Sequence, residues 1–340
     1  MIHSTLVERA AKQPLPAAAM REAMDRIMTQ TMSTDEMSGF LQALASRGET
    51  AEEIAAAVQS LRRHAVRLPL AQPLELCDTC GTGGDGQGTF NISTLAALVA
   101  AACGVRVAKH GNRAASSRCG SADVLQALGL NLEADPARVA RSIETLGFGF
   151  CFAPLFHPAM KAVAPVRKAL GIRTIFNLIG PLANPAALTF QLVGVSEERL
   201  MRPVAEALRA LGIRHGLVVH GADGLDEVTL TGDTRCLELR DGALKPLTVR
   251  PEDVALPRIT LEQLRGGDPA QNARIATNVL EGPASPYQDV VALNAGCAIY
   301  VADRAPDIRE GVAQAREAIR SGRARTLLRD VIAHSQGRAA

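Results

Sequence analysis

In the first 70 residues apolar side chains recur at helical spacing. Met20, Met24, Ile27 and Met28 share one face, and Met37, Phe40, Leu41 and Leu44 repeat the pattern. Ser33 with Glu36, and Thr50 with Glu53, read as capping boxes that start two helices. Gly48 stops the first of them, and Ile54, Val58 and Leu61 line the second. Pro69 and Pro73 break the pattern. Three or four short helices in an all-α unit over residues 1–72 are therefore expected.

From Leu74 onward short apolar runs alternate with helix-length segments. Strands are predicted at 74–77, 105–108, 148–152, 190–195 and 216–220. Helices are predicted at about 93–103, from Ser121, near 159–170 and through Leu211. This alternation implies an α/β domain over 73–340 with a mostly parallel central sheet and right-handed crossovers. A hairpin is expected over 234–250 around Asp241-Gly242, then three helical stretches at 273–280, 287–300 and 308–333. Asn177 to Pro185 reads as a proline-fixed connection between domains and a candidate hinge, and helices around 159–185 are expected to join the small domain. No internal repeat is evident.

Composition narrows the class without deciding it. Apolar residues are 47% and charged residues 21%, with a net charge of +2, as in an ordinary globular protein. Trp is absent and Tyr occurs twice, which argues against stacking platforms for single-stranded nucleic acid. Eight Arg against four acidic residues from Arg304 onward read better as a solvated helix face than as a nucleic-acid patch. Seven cysteines without regular spacing suggest a reducing compartment, and no stretch reads as a leader or membrane span, so a cytoplasmic location is expected. Cys77 and Cys80 form a lone C-x-x-C, half a zinc or redox motif with no second pair to complete it.

Chemistry concentrates after the predicted strands. Cys80-Gly-Thr-Gly-Gly-Asp-Gly86 is glycine-rich, so its backbone N–H groups can approach anionic oxygens; a purely structural turn is the plain alternative. It also matches G-x-G-x-x-G, but a dinucleotide fold needs a helix directly after the loop and an acid ending the next strand. Here Asn91-Ile-Ser-Thr94 intervenes and the next strand ends at Lys109-His110. An ammonium there favours phosphate. Ser93 and Thr94 suit helix N-caps, and a Ser hydroxyl beside an anion site also suits Mg²⁺. The turn after His220 carries Asp226-Glu227, adjacent carboxylates that are either a solvated turn or hard-oxygen ligands for Mg²⁺. Arg167 is either a surface guanidinium or a fork for a carboxylate. In parallel sheets ligands sit beyond the C-terminal strand edges, where both turns and the acidic pair should converge.

These motifs together resemble the anthranilate phosphoribosyltransferase family. Asp78-x-x-Gly-Thr-Gly-Gly-Asp85, Asn91-Ile-Ser-Thr94, Lys109 to Ser117, Gly120 to Leu125, His157-Pro-Ala-Met160, Arg173-Thr-Ile-Phe-Asn177 and Asp226-Glu227 carry the likeness in order along the chain. The resemblance implies a small helical domain and a large α/β domain laid out as in pyrimidine nucleoside phosphorylases. It implies a homodimer joined through the helical domain, Mg²⁺, and transfer of phosphoribosyl from 5-phosphoribosyl 1-pyrophosphate (PRPP) to anthranilate in tryptophan biosynthesis. Carried over by position, PRPP would meet Gly81, Gly84, Asp85, Thr89, Asn91, Ile92, Ser93, Thr94, Lys109, Asn112, Arg113, Ala114, Ala115, Ser116, Ser117 and Ser121. Gly81, Asn112 and Arg167 would meet anthranilate, and Ser93, Asp226 and Glu227 would hold Mg²⁺. No side chain is implied as a nucleophile, and neither a nucleic acid nor a membrane is implied as partner. His110 could accept a proton or serve the turn through its main chain. The competing readings are a nucleoside phosphorylase of the same layout, which needs no paired carboxylates, a transferase with another aromatic acceptor, and a non-catalytic relative that binds nucleic acid.

Overall fold

A computed structural model describes residues 2–114 and 117–338. Seven strands form one sheet: β1 (Cys77–Gly81), β2 (Val107–Gly111), β3 (Phe148–Phe152), β4 (Phe190–Gly194), β5 (His215–Gly221), β6 (Thr234–Arg240) and β7 (Ala243–Val249). Their spatial order is β3-β2-β1-β4-β5-β6-β7, parallel from β3 through β5 and antiparallel beyond. The chain lays β2 and β3 on one side of β1 and then returns to place β4 on the other. That reversal, between β1 and β4, is where a crevice opens in such sheets.

The parallel strands are apolar on both faces, and the sheet sorts them at period two. Val107, Phe148, Phe150, Phe152, Leu217 and Val219 pack under helices Ile92–Ala102, Pro286–Val301, Ile308–Arg320 and Arg323–Ser335. Ala108, Cys151, Val193 and Val218 face the opposite way, into a core continuous with the N-terminal helices. Those helices are Ile2–Lys12, Ala17–Met28, Thr34–Arg47 and Ala51–Arg63. Thr50 and Glu53 cap one another reciprocally. Ser33 Oγ accepts the Glu36 N–H, while the Glu36 carboxylate pairs with Arg26.

The last two helices of the N-terminal unit rest on Ala164–Leu170 and Ile175–Leu182, and Ala51–Arg63 also packs along helix Met201–Ala210. Arg62 donates to the Leu182 carbonyl at 2.7 Å across that contact. Among the described residues no helix is long and apolar enough to cross a membrane.

Several elements differ from expectation. β1 and β2 begin later than 74 and 105 and run through Asp78, Thr79, Lys109 and His110, all buried. Lys109-His110 is strand and not turn: the Lys109 ammonium donates to the Thr79 carbonyl of β1 and His110 Nδ1 meets the Gly180 carbonyl, while His110 Nε2 has no partner among the described residues. The proline-fixed stretch Asn177 to Pro185 is helical as far as Leu182, in a helix that begins where the Thr174 N–H donates to Asn177 Oδ1 and that holds Pro181 one residue from its end. The stretch near 159–170 divides into a 3-10 turn at Pro158–Ala162 and a helix at Ala164–Leu170. Residues 308–333 form two helices parted at Gly322, whose φ of +75° suits glycine. A helix at Pro136–Leu146 was not expected. The hairpin turns where expected, with φ of 48° at Asp241 and 81° at Gly242, as a two-residue primed turn requires.

Candidate active site

The crevice between β1 and β4 is built on two glycines. Gly81 and Gly194 end their strands side by side in register. A Cβ on Gly81 would lie 2.3 Å from Asp226 Oδ2, and one on Gly194 only 1.6 Å from the Asp226 carbonyl oxygen. The segment carrying Asp226-Glu227 therefore passes directly over both strand ends, through space that any side chain there would fill. Asn294 anchors it from below: its Oδ1 accepts the Val228 N–H at 2.9 Å and its Nδ2 donates to the Val228 carbonyl at 2.8 Å. Asp223 shapes the preceding turn by accepting from the Thr229 and Thr231 hydroxyls, each at 2.6 Å.

Asp226 is buried and Glu227 half-buried, and both face backbone donors. Asp226 Oδ2 accepts the Gly83 N–H at 2.6 Å, and Glu227 Oε1 accepts the Ser93 N–H at 3.0 Å. Ser93 lies in the first turn of Ile92–Ala102, where unpaired N–H groups and the helix dipole favour negative charge. Burial, reinforced by neighbouring Asp85, raises the Asp226 carboxyl to about 6. Burial and the Asp226 charge raise Glu227 to about 8. Two hard-oxygen groups that resist ionisation side by side are groups that a cation would relieve.

Lys109 reaches toward the pair from β2. Its buried ammonium donates to the Thr79 carbonyl, and to Ser93 Oγ at 3.3 Å. Asp78 sits behind it, accepting from Asn184 Nδ2 at 2.9 Å and from the His110 N–H at 3.3 Å. Burial raises the Asp78 carboxyl to about 6, although the Lys109 charge opposes this. Asn184 also donates to the Ala108 carbonyl at 2.7 Å and accepts the Ala186 N–H, so its amide is fully used.

The loop after β2 is organised by one acid. Asp123, at the start of helix Ser121–Ala127, accepts the Ala114 and Gly120 N–H groups at 2.9 Å each and Arg113 Nη1 at 3.0 Å. Asn112 Oδ1 accepts the Arg113 N–H, and the Ser121 hydroxyl donates to the Asn112 carbonyl. Ser117 borders this loop, while Ala115 and Ser116 lie outside the described residues. Asn91, the residue before Ile92–Ala102, bridges the Cys119 carbonyl and Asn272 Nδ2 and makes no cap bond. Thr94 is buried in the helix, and Thr89 bridges Arg265 at the far side of the glycine loop.

Helix Ala164–Leu170, which carries Arg167, packs on helix Thr34–Arg47 of the N-terminal unit. Arg167 lies 5.8 Å over the Phe176 ring, and among the described residues its guanidinium has no hydrogen bond or ion pair. Partial burial lowers its pKa, so a carboxylate would be welcome there. His110 and His157 meet edge to face at 5.2 Å, and burial lowers them to about 3 and about 4. At such values His110 is a poor proton acceptor near neutrality. Burial also pushes the Cys77 and Cys80 thiols up, so neither is a thiolate.

The crevice thus brings together Gly81, Asp85, Ser93, Lys109, Asp226 and Glu227. Asp123, Asn184, Asp223, Asn272 and Asn294 went unassigned by sequence reasoning. Asn294 carried a signal, a lone amide within the apolar run Val290–Val301.

Residues 74–325 match the α/β domain of a glycosyl transferase family, and residues 4–65 match the helical bundle domain of such enzymes. The chain is 50% identical over 333 residues to anthranilate phosphoribosyltransferase of Anaeromyxobacter dehalogenans, covering 98% of each. It is 51% identical to that of Rhodospirillum rubrum, covering 95% of this chain and 93% of that one. Among solved structures, the Thermus thermophilus anthranilate phosphoribosyltransferase superposes with a TM-score of 0.92 at 49% identity, covering 97% of this chain and 99% of that one. The Saccharomyces cerevisiae enzyme in complex with PRPP and Mg superposes with a TM-score of 0.89 at 29% identity, covering 99% and 98%.

Proposed function

We propose a reaction on one premise: the chain belongs to the anthranilate phosphoribosyltransferase family. It transfers the 5-phosphoribosyl group of PRPP to the amine of anthranilate, giving N-(5-phosphoribosyl)anthranilate and pyrophosphate, in tryptophan biosynthesis. The observation that carries this reading is the Asp226-Glu227 pair, the first buried and the second half-buried, laid across the β1–β4 crevice between a glycine loop and a lysine. A site for simple phosphate needs no such pair.

Displacing pyrophosphate from C1 of ribose passes through an oxocarbenium-like state while negative charge grows on the leaving group. That chemistry asks for positioning and charge stabilisation more than for a nucleophilic side chain. The backbone of the glycine loop, Ser93, Thr94, Lys109 and the 112–117 loop would hold the donor's phosphates. Arg167 and Asn112 would hold anthranilate, with the guanidinium on its carboxylate. Ser93, Asp226 and Glu227 fit Mg²⁺, an ion that takes few protein oxygens and completes its shell from substrate phosphate and water. Bound there, Mg²⁺ supplies charge neutralisation on the diphosphate. Asp226 and Glu227 must shed protons to receive it. We further carry over a helical domain of residues 1–72 joined by helices around 159–185, an α/β domain of 73–340, a homodimer joined through the helical domain, and a cytoplasmic location.

The test mixes the protein with PRPP, Mg²⁺ and anthranilate and follows anthranilate consumption together with pyrophosphate release. Both change in step, and both stop with EDTA or in Asp226→Asn. A folded protein without turnover would refute the assignment.

A further inference from the structure

The glycine loop is held at Gly83 from two sides. Its N–H donates to Asp226, and its carbonyl accepts from Arg173 Nη1 at 3.2 Å. The same Nη1 donates to Ser196 Oγ at 2.9 Å, and the Ser196 N–H donates to Thr82 Oγ1 at 3.3 Å. Thr82 in turn donates its N–H to the Gly194 carbonyl at 2.9 Å. One guanidinium thus straddles the β1–β4 crevice and ties the loop after β1 to the chain after β4. The packing is close: a Cβ on Gly84 would lie 2.7 Å from Arg173 Nη1. Gly83 and Gly84 have φ of +66° and +75°, and next to Gly83 there is open space. Without a tether such a loop has many conformations available.

The guanidinium is not a saturated structural group. Its Nη2 is buried and has no partner among the described residues. Buried arginine donors in a purely structural role are normally met, so this guanidinium keeps hydrogen-bonding capacity beyond the two contacts that it makes. Arg173 follows Gly171, whose left-handed φ of 61° ends helix Ala164–Leu170, and precedes Thr174, which starts Ile175–Leu182. Both flanking helices are packed, so the arm is anchored and its tip alone reaches the loop.

We propose that Arg173 is a positioning residue that latches the glycine loop, through the Gly83 carbonyl, in the shape that receives the donor's diphosphate. It acts on the donor side and leaves the acceptor arginine, Arg167, in place. The kinetic part of this inference rests on the reaction proposed above, whereas the loop measurement does not.

The experiment compares the full chain with Arg173→Ala, Arg173→Lys and Ser196→Ala. Amide hydrogen exchange is read over residues 81–90, with helix Ile92–Ala102 as internal reference. Loss of the latch speeds exchange in 81–90 about tenfold in Arg173→Ala, the worth of one charge-assisted hydrogen bond, and leaves the reference unchanged. Lysine, with a single point of attachment, falls between, and it carries the test if the alanine variant does not fold. Ser196→Ala speeds the same segment less. In turnover KM for PRPP rises about tenfold in Arg173→Ala while KM for anthranilate stays within about twofold. Unchanged exchange over 81–90, or equal rises in both KM values, overturns the latch. If the unaltered protein shows no turnover, the reaction falls and the exchange result still decides the latch.

Discussion

Gly194→Ala adds one methyl group at the point where Asp226 crosses β4. Gly194 is not among the residues with positive φ, so the backbone accepts alanine and the obstacle is steric alone. The new carbon would lie 1.6 Å from the Asp226 carbonyl oxygen and 2.3 Å from its carbonyl carbon, where contacts under 3.0 Å are not tolerated. The Asp226 peptide must therefore retreat by about 1.4 Å, the gap between those limits, and backbone cannot swing aside as a side-chain tip can. Overpacking of this kind costs about 1–3 kcal/mol, which leaves the chain folded within the usual margin of about 5–15 kcal/mol. Misplacing a binding group by about 1 Å costs roughly 100-fold in rate. The expected result is a folded protein with kcat/KM lower by about 100-fold or more and a Mg²⁺ half-saturation raised at least about tenfold. Circular dichroism melting and Mg²⁺-dependent initial rates measure both. Gly232→Ala is the control, since its nearest neighbour would be an ordinary 3.4 Å away. Wild-type kcat/KM and unchanged Mg²⁺ dependence in folded Gly194→Ala would refute the claim that this crossing sets the carboxylate pair.

Three further outcomes follow from the same geometry. Arg167→Ala raises KM for anthranilate by about tenfold or more and KM for PRPP much less, because the guanidinium is open to a carboxylate; equal effects in steady-state kinetics would remove it from that role. Without Mg²⁺ the protein loses stability as pH rises from 6.5 to 8, because folded Glu227 keeps its proton to about 8 while the unfolded side chain gives it up near 4.5. His110 and His157, lowered from 6.5 to about 3 and about 4, add stability only as pH climbs to 6.5 and are level above it. The slope approaches about 1.4 kcal/mol per pH unit, and chemical denaturation with saturating Mg²⁺ should flatten it; a slope unaffected by the ion would count against Glu227 as a ligand. Asn294→Ala strips both bonds from Val228, costing about 2–4 kcal/mol, and weakens Mg²⁺ dependence far more than Asn278→Ala on the exposed face of a neighbouring helix; equal Mg²⁺ titrations of the two would contradict the anchoring role.

The sequence was most legible where one local rule was sufficient. Phe148–Phe152 is apolar at every position but glycine, and Asp241-Gly242 joins two strands through residues that favour positive φ, so both elements lie where expected. Lys109 and His110 misled because polar residues rarely sit inside a buried parallel strand. Their partners, Thr79 and Gly180, come from chain segments 30 and 70 residues away. Gly180 and Pro181, both helix breakers, obscured the end of Ile175–Leu182; the helix stops one residue after Pro181, and Gln191 Nε2 donates to the Pro181 carbonyl while His110 meets that of Gly180. Pro136–Leu146 had its signals in plain view, an Asp135 cap, Pro136 in the first turn and Gly147 at the stop. The partners of Asn294 and Arg173 had no local trace, since the contacts span 66 and 90 residues, although Asn294 itself stood out as a lone amide in an apolar run.

The Asn294 anchor also sets a schedule for the growing chain. The carboxylates are synthesised early in the last third of the protein, yet the amide that fixes them is 66 residues downstream of Val228. At about 5–20 residues per second, that interval is roughly 3–13 s of translation. Throughout it the glycine loop, the lysine and the acidic pair already exist as polypeptide, without the strut that sets their spacing. Catalytic competence is thus deferred until helix Pro286–Val301 has emerged and docked. A nascent or prematurely terminated chain ending before it would carry every motif and still lack the strut that seats the acidic pair.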